Sequence, residues 1–332
     1  MGEFDLIRRY FARPERPPDR GVVLGIGDDC AILQPGAGMQ LALSCDMLVE
    51  GRHVLPTVNP VHLGHKALAV NLSDLAACGA RPLGFTLALA LPQADDTWLD
   101  GFARGLFALA DAHGCALVGG DTTRGPLNIC ITVFGEVPAS GGQGAALLRS
   151  GARSGDDIWV SGTLGDARLA LEVFRGNLSV PMSLFEAARV RMEQPTPRVA
   201  LGQALRGIAS AAIDISDGLL GDLGHVLRAS AVGACIDTSI AMNLIASGAY
   251  PASARGSFDA KSQLDCVLAG GDDYELVFTA PADRRAAVLA AAQAASTPVT
   301  CIGRTEAKLG VRLVDAQGST LPDNYRSFDH FA

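Results

Sequence analysis

The sequence predicts an α/β fold of the mixed α+β kind, built as two domains. Three observations carry this prediction. The chain has 332 residues, a length that suits two domains of ordinary size. Its composition is 48% hydrophobic but only 5% aromatic, with Ala, Gly, Leu and Val dominant, as in α/β enzymes rather than all-β modules. Helical and strand patterns also mix in both halves, on either side of a Gly-rich stretch at residues 138–144.

Phe4, Ile7, Tyr10 and Phe11 recur at helical spacing, and Pro14 with the Pro17-Pro18 pair ends that helix. Short strands are expected at 22–26, 31–33 and 40–45. Asn59-Pro60 opens a helix that runs to about Cys78, where Gly79 stops it. A strand follows at 82–91, then a helix capped by Asp95 or Asp96 and running to about His113. Strands at 116–118 and 128–137 flank an acidic turn, Gly119-Gly120-Asp121-Thr122. In the second half, strands are expected at 158–161, 211–215 and 274–279. Helices are expected at 164–174, from Leu219 onward and at 281–295, and Pro195 and Pro197 separate two more. The expected domains are 1–140 and 145–332.

The formal net charge is −8, which argues against nucleic acid as a partner. None of the eight cysteines forms a Cys-x-x-Cys pair, so neither a zinc ribbon nor a thioredoxin-like motif is present. Most sit in apolar strings, as small hydrophobes of a protein in a reducing compartment. The N-terminus shows no basic stretch followed by an apolar run, and no apolar run approaches the ~18 residues of a membrane span. The expectation is a soluble cytoplasmic protein with no membrane partner.

The most informative feature is a set of seven acidic clusters, in a chain with only 19% charged residues. They are Gly27-Asp28-Asp29, Cys45-Asp46, Ser73-Asp74, Gly119-Gly120-Asp121, Gly155-Asp156-Asp157, Asp214-Ile215-Ser216-Asp217 and Gly270-Gly271-Asp272-Asp273. Small neighbours let a ligand approach the backbone, and carboxylates are the hard ligands Mg²⁺ uses when it bridges to phosphates. Polyphosphate chemistry through several metal ions is the implied class. Asp74 shares a face with Asn71 on an otherwise apolar helix, so it either binds metal or is paired within the core. Asp214 and Asp217 repel each other unless a cation lies between them, although Ser216 or Asp217 could instead cap the following helix. A lone His53 is more often structural. The only lysines are Lys66, Lys261 and Lys308, none after a glycine, so there is no Gly-Lys-Ser/Thr phosphate loop.

Taken in order, these motifs resemble a known family. They are Gly25-Ile26-Gly27-Asp28-Asp29-Cys30-Ala31, Asp46 with Leu48-Val49-Glu50-Gly51 and His53, and Asn71-Leu72-Ser73-Asp74-Leu75-Ala76-Ala77. Gly119-Gly120-Asp121-Thr122-Thr123, Arg149-Ser150-Gly151-Ala152, Asp214-Ile215-Ser216-Asp217-Gly218-Leu219, Gly271-Asp272-Asp273-Tyr274-Glu275-Leu276 and Phe328-Asp329-His330-Phe331 follow. Over residues 3 to 331 the chain resembles the thiamine-phosphate kinase family, within the superfamily of aminoimidazole-ribonucleotide synthetase.

The resemblance implies an N-terminal ATP- and Mg²⁺-binding domain whose sheet forms a barrel with that of a second subunit, making a homodimer. It implies a C-terminal α/β domain that completes the active-site cleft. The implied reaction is direct transfer of the γ-phosphoryl of ATP to thiamine monophosphate. Asp28, Ser44, Asp46, Asp74, Asp121, Asp214 and Asp217 match metal ligands, and all of these except Ser44 and Asp46 are the expected catalytic set. Gly120, Asp121, Arg149 and Ser216 match nucleotide contacts, and His53, Asp272 and Phe328 match substrate contacts. Two positions depart from the family pattern: Asp272 replaces a usual Glu, and Cys45 a usual Thr. A selenophosphate synthase or an amidine cyclase of the same superfamily is the alternative enzyme, and a non-catalytic metal-binding scaffold the alternative class. The absence of Cys from residues 1–20 counts against the selenophosphate enzyme.

Overall fold

The computed structural model describes residues 3–13, 21–27, 30–139, 146–245, 258–322 and 324–328. The chain divides into two compact units, Met1–Leu75 with Ala80–Gly144, and Ala76–Gly79 with Ala145–Ala332.

The first unit opens with a short helix α1 (Glu3–Leu6) that widens into a π-type turn over Ile7–Phe11, ahead of Pro14. Strands β1 (Val22–Leu24) and β2 (Ile32–Leu33) pair antiparallel. Strand β3 (Met39–Val49) is followed by helix α2 (Pro60–Ala77), β4 (Arg81–Leu91), helix α3 (Asp96–His113), β5 (Ala116–Arg124) and β6 (Asn128–Pro138). Asp95 caps α3 by accepting the Trp98 N–H, and Gly114 closes it in the left-handed region. The four long strands form one sheet in the order β3-β6-β4-β5, antiparallel except for the β4–β5 pair. One face carries Leu83, Phe85, Leu87, Ile129, Ile131 and Val133, all buried. Helices α2 and α3 touch through glycines: a Cβ on Gly105 would lie 1.8 Å from the Val61 carbonyl oxygen.

Two strands are longer than expected, and both differences bear on the site. Strand β3 does not stop before Asp46, because its ladder with β6 is unbroken from Met39↔Pro138 to Val49↔Asn128. The Gly119-Gly120-Asp121-Thr122 segment is not a turn. It continues β5 to Arg124, with a bulge where Phe85↔Leu117 passes to Thr86↔Gly119. Glycine pairs usually mark turns, but here Gly120 serves close approach, since a Cβ would fall 1.9 Å from the Leu87 carbonyl oxygen.

The second unit contains β7 (Asp157–Ser161), α4 (Asp166–Phe174), α5 (Met182–Glu193), α6 (Val199–Ala204), β8 (Ala211–Asp214), α7 (Leu219–Ser230), β9 (Gly233–Asp237) and α8 (Thr238–Ala241). Helix α9 (Ala260–Ala269), β10 (Leu276–Ala280), α10 (Arg285–Ala294), β11 (Val299–Glu306), β12 (Val311–Val314) and β13 (Thr320–Leu321) complete it. Its seven-stranded sheet runs β13-β12-β9-β11-β7-β10-β8, and only the β12–β9 pair is parallel. Asp214 therefore ends an edge strand of a mainly antiparallel sheet, not a strand of an open parallel sheet.

Candidate active site

In the first unit the register of β3 puts Ser44 opposite Val133 and Asp46 opposite Ile131. Cross-strand partners share a face, so both polar side chains lie on the buried side of the sheet. The Ser44 hydroxyl donates to Oδ2 of Asp74 on α2, at 2.5 Å. The Asp46 N–H donates to Oδ1 of buried Asn71, whose own amide donates back to the Ala67 carbonyl. His53 sits in the turn after β3, where its Nδ1 accepts the Val49 N–H at 3.0 Å. That bond fixes the neutral ring as the Nε2–H tautomer.

Asp121 stands apart from this group. It is exposed on β5, opposite Ala88 of β4, and the sheet order places β5 and β3 at opposite edges. With strands about 4.8 Å apart, the two edges are separated by roughly 14 Å. Asp28 lies outside the described residues. Among the described residues, no three His, Cys, Asp or Glu side chains converge as a metal cage.

In the second unit the expected residues come together around one loop. Asp214 is almost fully buried at the end of β8, and Ser216 and Asp217 are half-buried just beyond it. Every backbone polar group of residues 215–218 is engaged. The Ile215 N–H goes to the Glu275 carbonyl. The N–H groups of Ser216, Asp217 and Gly218 all go to Oδ2 of Asp222, at 3.1, 3.0 and 3.0 Å. The carbonyls of Ile215, Ser216 and Asp217 accept from the N–H groups of Tyr274, Asp272 and Phe328, and that of Gly218 accepts the Asp222 N–H. Thus Asp272 and Phe328, 56 residues apart in sequence, are pinned to adjacent carbonyls of the same loop. Arg149 is exposed nearby: burial lowers the His225 pKa, Arg228 and then Arg149 add to this, and Asp217 opposes them.

Sequence reasoning missed two buried carboxylates in this region. Burial pushes the Asp222 carboxyl up to about 6, even though its three N–H donors pull the other way. Its only signal in the sequence was an Asp in the first turn of a helix. Glu275 is wholly buried and accepts from Ser161, Arg191 and both Nε and Nη2 of Arg198. It anchors the strand that begins just after the Asp272 turn. Asp273, next in sequence to Asp272, accepts the Gly165 N–H with both oxygens, and burial beside Asp166 pushes its carboxyl well up.

The acidic cluster Gly155-Asp156-Asp157 belongs to the scaffold. Asp156 accepts from Ser210 and the Arg153 N–H, and Asp157 is clamped between Arg285 and Arg304.

Residues 27–137 match the family described as AIR synthase related protein, N-terminal domain, and residues 153–316 match its C-terminal domain. The chain is 46% identical to the thiamine-monophosphate kinase of Salmonella typhimurium, over 100% of this chain and 98% of that one. The crystal structure of the Stenotrophomonas maltophilia thiamine-monophosphate kinase superposes with a TM-score of 0.80 at 46% identity, covering 91% and 93% of the two chains. A structure described as AaThiL complexed with AMPPCP and TMP superposes at 0.73 and 28% identity, covering 90% and 89%. The class is thus the two-domain AIR synthase-related proteins. Within it, the chain belongs to the thiamine-monophosphate kinase family.

Proposed function

We propose that this chain is an ATP-dependent kinase that passes the γ-phosphoryl group of ATP to thiamine monophosphate, giving thiamine diphosphate and ADP. Membership of the family supports the reading. The structural observation that carries it is the 215–218 loop. With its N–H groups all taken, the loop cannot cradle a phosphate as a Gly-rich phosphate loop does. It offers oxygens instead, from Asp214, Ser216 and Asp217, and such a donor set fits a hard cation.

The acceptor oxygen belongs to a phosphate already anionic near neutral pH, so no general base is needed. Positioning and charge neutralisation carry the catalysis. Asp28, Ser44, Asp46, Asp74, Asp121, Asp214 and Asp217 are the residues that would hold Mg²⁺. Bound there, Mg²⁺ supplies the positive charge that brings two phosphates together. Gly120, Asp121, Arg149 and Ser216 take the nucleotide, with Arg149 as a further cation. His53 and Asp272 orient the thiamine phosphate, and Phe328, 42% exposed, offers a flat face to its cationic ring. In this reading residues 1–140 form the ATP- and Mg²⁺-binding domain, and residues 145–332 the C-terminal α/β domain.

The same reading makes the protein a cytoplasmic homodimer. No disulfide joins any of the eight cysteines, and a reducing compartment suits that. Among the described residues no helix is long and apolar enough to cross a membrane. The open face of the β3-β6-β4-β5 sheet exposes Leu43 and Met47, at 64% and 51%, and a second copy seated there closes the two sheets into a barrel.

The test is thiamine diphosphate formation from ATP and thiamine monophosphate, with and without EDTA, beside ATP hydrolysis without the acceptor. Product must form only with metal, and ATP turnover must depend on the acceptor. Transfer in one step inverts a chiral γ-phosphorus. Retention of configuration, or a trapped phosphoenzyme, excludes direct transfer.

A further inference from the structure

We infer that Asp222 is a positioning residue, acting through the 215–218 loop to aim Ser216 and Asp217 at the bound cation. The inference rests on the metal-dependent reading above.

Three consecutive N–H groups converge on a single carboxylate oxygen, Oδ2 of Asp222. Three successive amides aimed at one point form the kind of concavity that binds an anion. In this chain the anion is internal. Asp222 is 4% exposed and sits in the first turn of α7, where the helix dipole also favours a negative charge. The consequence is geometric. With the N–H groups turned inward, the carbonyls of Ile215, Ser216 and Asp217 receive Tyr274, Asp272 and Phe328, and the side chains of the loop are what remain for ligand. Among the described residues, these three N–H groups have no other acceptor. The conformation that presents Ser216 and Asp217 therefore depends on where that one oxygen sits.

Hydrogen-bond geometry and negative charge can be separated, because all three bonds use the same oxygen. An Asn at 222 can put its amide oxygen in that place and keep three bonds without the charge. A Glu keeps the charge but carries the oxygen about 1.5 Å further along its side chain, one C–C bond length, and displaces the loop.

The experiment measures Mn²⁺ binding by electron paramagnetic resonance in the full chain saturated with ADP, for wild type, Asp222→Asn, Asp222→Glu and Asp222→Ala. Circular dichroism and thermal melting confirm that each is folded. Asp222→Asn should bind Mn²⁺ within about 3-fold of wild type, whereas Asp222→Glu and Asp222→Ala weaken it at least ~10-fold, the scale of losing an outer partner of a metal ligand. If Asp222→Ala does not fold, the Asn and Glu pair decides. Wild-type affinity in Asp222→Glu, or equal weakening in Asp222→Asn and Asp222→Glu, overturns the inference. Failure of the wild-type protein to bind Mn²⁺ with nucleotide would instead overturn the metal reading itself.

Discussion

The hydroxyl of Ser44 donates a 2.5 Å hydrogen bond to Oδ2 of Asp74, tying the middle of strand β3 to the last turn of helix α2. The bond makes these two residues one unit of the proposed site. A hydroxyl donor fixes the direction in which the carboxylate oxygens point.

Removing the charge should therefore cost far more than removing the donor. Asp74→Asn is expected to lower turnover by at least ~10²-fold, the scale of losing one group that stabilises developing charge. Ser44→Ala removes one hydrogen bond to a charged group and should cost about tenfold. Since Ser44 and Asp74 touch, their effects should not add, and the double variant should lose less than the two single losses multiplied. Steady-state kinetics on folded variants check this, and undiminished turnover in Asp74→Asn would remove Asp74 from the site.

The second prediction concerns the other face of the same strand. Leu43 pairs with Phe134 across the ladder and is 64% exposed, so the protomer gains little from it. Leu43→Glu should leave the melting of the protomer nearly unchanged while abolishing the proposed dimer, because an unpaired charge buried in an apolar interface is heavily penalised. Light scattering after gel filtration reads the outcome. A Leu43→Glu protein that remains dimeric shows that copies associate elsewhere.

Most of the helices and strands could be read from periodicity, though α8 and α9 were not. Helix α2 starts at Pro60 and ends at Ala77, before Gly79, as proline at a helix start and glycine after its end dictate. What failed was the turn expected where glycine stands beside aspartate at Gly119-Gly120-Asp121-Thr122. At Gly120 that pair lies inside a strand, because the backbones of β4 and β5 come too close for any side chain. Strands β9, β11, β12 and β13 went unread, since short segments in an antiparallel sheet take their partners from distant sequence. The candidate site residues stood out as motifs, but their arrangement was not legible. Nothing in the spacing shows that Asp272 and Phe328 donate to neighbouring carbonyls of one loop, or that Asp222 gathers its amides.

The third prediction turns on Asp157, which the sequence grouped with the other acidic clusters. Its side chain is fully buried between Arg285 and Arg304, with Arg285 Nη2 at 2.8 Å from Oδ1. The hydrogen bond from Arg285 holds its carboxyl below the ordinary carboxylate range, Arg304 adds to this, and burial opposes both. A carboxyl whose pKa is depressed on folding contributes stability above its unfolded value of about 3.9, and loses it as pH falls through the folded value. Both arginines are roughly half exposed, so solvent screening holds the contribution to about 1–2 kcal/mol. Asp157→Asn should lower Tm by several degrees at pH 7, and the gap should narrow below about pH 4. Activity at 25 °C should be unaffected. A Tm difference that is constant from pH 7 to pH 3 would show that the ion pair is not its source.

The last prediction concerns Asp272, where the family usually has Glu. Its backbone is left-handed, with φ +63°, and its N–H donates to the Ser216 carbonyl at 2.7 Å. Asp and Asn adopt that conformation more readily than other non-glycine residues, which gives the shorter side chain a backbone advantage over Glu. Glu would reach about 1.5 Å further, a difference that a water molecule can bridge. Asp272→Glu should therefore keep activity within about tenfold of wild type, with a slightly lower Tm from the disfavoured φ. Asp272→Ala should raise KM for thiamine monophosphate more than KM for ATP. Its Tm alone cannot assign the role, because Ala also loses the left-handed preference. Asp272→Asn separates the two effects: it keeps the turn and removes the charge. If the carboxylate orients the substrate, Asp272→Asn melts like wild type and still raises KM for thiamine monophosphate. If that KM is unchanged while Asp272→Ala melts lower, the residue serves only to shape the turn that holds Ser216.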